Sequence, residues 1–144
     1  MVGSIAHGGE WAGAVVARDV DAIGLGFDIE PLEPPMTPGV EELVLTAAEK
    51  ALLPDDHRLA VRAAKVAFTA KECVYKALFP SKGWRLGFGD VEIDVDLISG
   101  RWHAALDDRF SLGPGGAGLS GCFEVWDGHV FSAVLVPPEG ARHH

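Results

Sequence analysis

Asp28 and Glu30 close an apolar run, AIGLGFDIE, that spans Ala22–Glu30. If the run is a strand, the two carboxylates share a face, with Cβ atoms ~7 Å apart. Two such charges repel each other, and a hard divalent ion would relieve the repulsion. Mg²⁺ suits the pattern, because it takes one or two protein carboxylates and completes its shell with water and phosphate oxygens. The plainer alternative is a polar strand end running into a loop. A third carboxylate, Glu72, is the single acid among seven bases between positions 58 and 85: Arg58, Arg62, Lys65, Lys71, Lys76, Lys82 and Arg85. It lies beside Lys71 and one helical turn before Lys76. That spacing fits a surface Glu–Lys pair. That common pairing leads on spacing alone, and the alternative is a third metal ligand or general base, with lysines aimed at phosphate. A further candidate is the segment SIAH, Ser4 to His7. Its histidine can contact an anion or simply occupy a turn.

These residues need elements to hold them. AGAVVA (12–17) and AIGLGFDI (22–29) read as buried strands, with SIAH just ahead of the first. The prolines of PLEPPMTPG (31–39) impose a stiff extended loop. Thr46 and Glu49 have capping-box spacing and open a short helix stopped by Pro54. Asp55 or Asp56 then caps a longer helix that runs to about Phe79, before Pro80. On it Phe68, Glu72, Lys76 and Phe79 share one face. In FGDVEIDVDL the apolar and acidic residues alternate, as in a half-solvated antiparallel strand. RWHAAL follows a Ser99-Gly100 turn, and GPGGAG (113–118) is a glycine-rich loop. Two last strands flank a hairpin turn at Asp127-Gly128. The order strands, helices, strands predicts an α+β fold, an antiparallel sheet packed against one long and one short helix.

Composition sets the outer bounds. The chain has 144 residues and a net charge of -9, and 48% of it is hydrophobic. Such a length suits one domain, since domains cluster near ~100–150 residues. The hydrophobic content excludes intrinsic disorder, and the acidic balance argues against nucleic acid as a partner. No apolar run approaches the ~20 residues of a membrane span. No basic-then-apolar leader opens the chain, so a cytoplasmic location is expected. Residues 58–85 nevertheless form a block of net +6, either a solvated basic helix face or a surface for a polyanion or acidic partner. Cys73 and Cys122 lack metal-ligand neighbours and are expected to be small buried hydrophobes.

Taken in order, SIAH, GFDIE and FTAKECVYK resemble the 4′-phosphopantetheinyl transferases. The likeness is to the long monomeric class that activates surfactin- and enterobactin-type synthetases. That class carries S-x-[ST]-H, G-[IV]-D-[IV]-E and [FW]-[ST]-x-K-E-[AS]-x-x-K in the same order. The wider stretch FTAKECVYKALFPSKGWRLGFGDVEIDVD is similar to the siderophore-synthetase subgroup. The resemblance implies Mg²⁺ held by Asp28, Glu30 and Glu72, with coenzyme A as co-substrate. It implies Glu72 as the base for the acceptor serine of an apo acyl or peptidyl carrier protein. Lys76 would contact the pyrophosphate with Lys71 in support, and Ser4 and His7 would hold the 3′-phosphate. The arm would pass to that serine, in nonribosomal-peptide, polyketide or siderophore biosynthesis, with release of 3′,5′-ADP. Phe27 stands where the class has Ile or Val, and Ala6 where it has Ser or Thr. Members of the class are longer and consist of two similar halves. The expectation is therefore one transferase domain, C-terminal-half-like, with residues 1–20 resembling the end of a missing N-terminal half. Two alternatives stay open: a non-catalytic module that docks a carrier protein, and a fragment needing a separate N-terminal half or self-association.

Overall fold

Alternation of apolar and polar side chains builds most of the sheet. The computed structural model describes residues 1–112 and 118–138. In β4 (Val91–Asp96) Val91 and Ile93 point inward while Glu92 and Asp94 face water. β5 (Arg101–Leu106) and β6 (Gly118–Trp126) alternate in the same way. Asp127 and Gly128 turn the chain with φ of 50° and 69°, the signature of the hairpin turn that matches strand twist, into β7 (His129–Val136). With β3 (Gly24–Pro31) these strands form a five-stranded antiparallel sheet in the order β3-β7-β6-β5-β4. A separate hairpin, β1 (Val2–Gly8) and β2 (Trp11–Ala17), lies over β3.

One long helix covers the sheet. Asp56 caps α3 (His57–Lys82) by accepting a hydrogen bond from the Leu59 amide. Its buried stripe of Val66, Ala70, Cys73, Val74, Ala77 and Leu78 meets Val130, Val134, Ile93, Trp102 and Phe123 from the sheet. The fold class is thus α+β with an antiparallel sheet, as expected. Among the described residues no helix is long and apolar enough to cross a membrane.

The local expectations fail in four places. SIAH lies ahead of β2 but is itself the middle of a strand, β1, because Ala6 and its neighbours Ser4 and Gly8 fit inward. The proline-rich loop ends earlier than expected, since Thr37 caps an additional helix, α1 (Pro38–Val44), with Pro38 in its first turn. The expected short helix is α2 (Ala47–Ala51), with its capping box formed. Pro80 does not stop α3. It sits in the last turn, and the helix ends at Gly83, whose φ of 70° is the left-handed cap that glycine favours. Cys73 is buried, but Cys122 is exposed, because strand parity turns it to the outer face of β6. The glycine-rich loop lies mostly outside the described residues, at 113–117.

Candidate active site

The sequence GLGFDIE places Gly24, Gly26, Asp28 and Glu30 on one face of β3. α3 runs across that face, and a Cβ at Gly24 or Gly26 would overlap the carbonyls of Ala77 or Cys73. The two glycines therefore let helix backbone lie directly on the strand. That approach brings Glu72 and Lys76, one turn apart, to the two carboxylates further along β3. The Lys76 ammonium donates to Asp28 Oδ1 at 3.3 Å, to the Phe27 carbonyl at 2.9 Å and to the Ile5 carbonyl at 3.3 Å. It stays 30% exposed, while the Asp28 carboxylate is 12% exposed. β3 is the outer strand of its sheet, so the amide and carbonyl of Phe27 have no strand partner. The amide donates instead to Ser4 Oγ at 3.1 Å, and the carbonyl takes Lys76.

Electrostatically the site is unfinished. Burial raises Asp28 to about 6 against the pull of Lys76, and the negative charges of Glu30 and Glu72 add to the rise. Burial also raises Glu72, again opposed by Lys76 and reinforced by Glu30. Asp28 Oδ2 is buried without a hydrogen-bond partner, a costly condition for a carboxylate oxygen. As the side chains lie, no three His, Cys, Asp or Glu groups among the described residues close around a common point. The donor chemistry suits a hard divalent cation all the same, since all three candidate groups are carboxylates and one buried oxygen lacks a partner. Such a cation would be held by Asp28, Glu30 and Glu72.

Beside Glu72 opens a hollow of about 230 Å³ lined by Lys71, Glu72, Tyr75, Leu86, Gly87, Phe88 and Val91. Beyond Glu30, a larger cleft of about 780 Å³ lies between the proline loop, the start of α3 and the β6–β7 hairpin. Leu32, Val61 and Val125 line it, with Arg58 and Arg62 among them. Sequence reasoning missed Tyr75, Leu86 and Phe88 as walls of the hollow, although their apolar character around a lone acid was a usable signal.

The structure sets some of the candidate residues apart from the others. Lys71 does not face the site. Its ammonium is 2% exposed and bonded to Glu49 Oε1 at 2.7 Å, the Val44 carbonyl at 2.7 Å and the Phe88 carbonyl at 2.8 Å. Neighbours on a helix point ~100° apart, and here the Lys71 ammonium turns into the interior while Glu72 faces the site. Nor do Ser4 and His7 form one anion pair: three residues apart on a strand, they face opposite sides. Ser4 turns to Phe27 and His7 is exposed. The +6 block likewise does not form one face, since Lys65 and Lys71 are buried and Lys76 meets Asp28.

Comparison with known proteins bears on the same residues. A family model described as the 4′-phosphopantetheinyl transferase superfamily matches residues 24–112, which include β3, α3 and β4. The chain is 36% identical over 143 residues to the 4′-phosphopantetheinyl transferase Svp of Streptomyces mobaraensis, covering 94% of this chain and 56% of that protein. It is 34% identical over 143 residues to the 4′-phosphopantetheinyl transferase PptT of Mycobacterium tuberculosis, covering 94% and 62%. The chain thus spans less than two-thirds of either relative. A crystal structure of Thermotoga maritima holo-[acyl-carrier-protein] synthase superposes with a TM-score of 0.55 at 21% identity, covering 81% of this chain and 65% of that one, a likeness of fold. A family match over more than half the chain, centred on the strand and helix that carry the carboxylates, establishes that this chain belongs to the 4′-phosphopantetheinyl transferase superfamily.

Proposed function

We propose that the chain catalyses, or supplies the catalytic half for, Mg²⁺-dependent transfer of the 4′-phosphopantetheine arm of coenzyme A to a serine of an apo carrier protein. The observation that carries this reading is the buried, partnerless oxygen of Asp28 beside Lys76, on the strand and helix that also present Glu30 and Glu72. Bound Mg²⁺ would neutralise charge on the pyrophosphate; Asp28, Glu30 and Glu72 would hold it. Lys76 swings from Asp28 Oδ1 to a phosphate oxygen, a short move for a partly exposed ammonium. Glu72, raised by burial, accepts the acceptor serine's proton. The serine oxygen–phosphorus bond forms as the bond to the nucleotide phosphate breaks, and 3′,5′-ADP leaves. His7, exposed on β1, is the candidate contact for the 3′-phosphate. The hollow at Tyr75, Leu86 and Phe88 suits the arm. Arg58 and Arg62, in the adjoining cleft, suit an acidic carrier protein.

On the same reading residues 1–144 are one transferase domain of the surfactin- and enterobactin-activating class, acting in the cytoplasm on nonribosomal-peptide, polyketide or siderophore carrier proteins. A second reading keeps the fold without catalysis by this chain alone. It is favoured by the outward face of the β1–β2 hairpin, where the apolar Ile5 and Val16 are exposed. A separate N-terminal half, or a second copy, would cover that face. The deciding experiment incubates the chain with Mg²⁺, coenzyme A and an apo carrier protein. The expected result is a mass gain equal to the arm that is abolished by Glu72→Ala. No gain, together with a salt-sensitive complex between chain and carrier, would leave the docking module standing instead.

A further inference from the structure

A fully satisfied polar cluster lies behind the candidate site. The Lys71 ammonium has three protons and three acceptors: Glu49 Oε1 at 2.7 Å, the Val44 carbonyl at 2.7 Å and the Phe88 carbonyl at 2.8 Å. Glu49 is as fully engaged. Its Oε1 also accepts from the Thr46 amide at 2.7 Å, and Oε2 accepts from the Ile93 amide at 2.6 Å. The two side chains are 2% and 3% exposed. This one node therefore ties the last turn of α1, the cap of α2, the middle of α3, the 3₁₀ turn Phe88–Asp90 and strand β4.

The tie to Phe88 is the one that reaches the site. Leu86, Gly87 and Phe88 form a wall of the hollow that Glu72 and Tyr75 also line. From the inside, the Gly87 amide donates to Asp90 Oδ2 at 2.8 Å, which shapes the turn but does not anchor it to α3. The Phe88 ring meets Phe68, one turn before Glu72, at a centroid distance of 6.0 Å. The Lys71 bond to the Phe88 carbonyl is the polar anchor that sets this wall against the helix bearing Glu72.

We infer that Lys71 and Glu49 are positioning residues: together they fix the Leu86–Phe88 wall of the hollow beside Glu72, and so set the fit of whatever occupies it without touching the reacting groups. Resting on the proposed function, the occupant is the pantetheine end of coenzyme A. A buried ion pair adds little to stability over apolar residues of equal size, and its distinctive contribution here is geometric.

The test uses the double variant Lys71→Met/Glu49→Met, which leaves no buried charge unpaired, and Lys71→Arg, which keeps the charge at altered reach. In the double variant, amide exchange across Gly87–Val91 should rise about tenfold while the rest of α3 stays protected. The KM for coenzyme A should rise about tenfold, with kcat within about twofold of the parent, and Lys71→Arg should fall between. Unchanged exchange and unchanged KM in a folded double variant would overturn the inference. So would a collapse of kcat at unchanged KM, since Lys71 would then act on the reacting groups. If the parent chain shows no turnover, catalysis by this chain alone fails, and exchange at Gly87–Val91 still decides the positioning role. If the double variant does not fold, the same two measurements on Lys71→Arg decide it.

Discussion

Two lysines five positions apart on α3 meet two carboxylates, and the pairs differ in almost every respect. Lys71 and Glu49 are deeply buried, and every proton and both carboxylate oxygens have partners. Lys76 and Asp28 meet where α3 crosses β3, partly exposed and 3.3 Å apart, with one Asp28 oxygen orphaned and two further acids close by. The first pair is a finished structure. The second holds more negative charge than its surroundings satisfy, a state that a bound cation would relieve. Proximity of opposite charges does not separate the two. The completeness of the surrounding hydrogen bonds does.

That contrast can be broken experimentally, beginning with the largest effect. At the open pair, Asp28→Ala should lower transfer to an apo carrier protein by about 10³-fold or more, by loss of charge stabilisation at the reacting phosphate, while the chain stays folded. A mass-spectrometric assay checks it, and a fully active variant would refute the assignment of Asp28. At the closed pair, Lys71→Met alone strands the Glu49 charge and should cost about 3–5 kcal/mol in urea unfolding. Lys76→Met, at a partly exposed ammonium, should cost far less, and equal losses would erase the distinction. The third effect depends on pH. Because the Asp28 carboxyl is raised to about 6 in the fold, its stabilising contribution is present below its unfolded value near 3.8 and is lost as pH rises through about 6. In metal-free buffer at pH 8, Asp28→Asn should therefore stabilise the chain by about 2 kcal/mol, a gain that fades by pH 4. Added Mg²⁺ should stabilise the parent and not this variant. The smallest effect is Thr46→Ala, which removes the cap beside Glu49 and should cost about 1 kcal/mol.

Much of the site was legible because its spacing is local. Asp28 and Glu30 are fixed to one face by strand period, and Glu72 and Lys76 by helix period. The capping box at Thr46 and the Asp127-Gly128 turn were equally short-range signals. What was not legible came from distant parts of the chain. Which of the neighbours Lys71 and Glu72 faces the site depends on where the helix packs, and Glu49 lies 22 positions from the lysine it neutralises. Glu49 was readable as a capping residue, but its second oxygen is committed to Ile93, 44 positions away. Ser4 and His7 shared a motif, yet strand geometry divides them. The parity that exposes Cys122 is set by the packing of β6 and not by the character of cysteine.

The capping of Phe27 has a consequence for how the chain keeps to itself. β3 ends its sheet, and an outer strand with free amides and carbonyls is a template on which a foreign strand can grow. Here the Ser4 hydroxyl occupies the amide and the Lys76 ammonium occupies the carbonyl. The lysine proposed for phosphate would thus also guard this edge, and would leave that post on reaching toward a ligand. Replacing it should show its cost first in solubility on storage, before any loss is seen in unfolding.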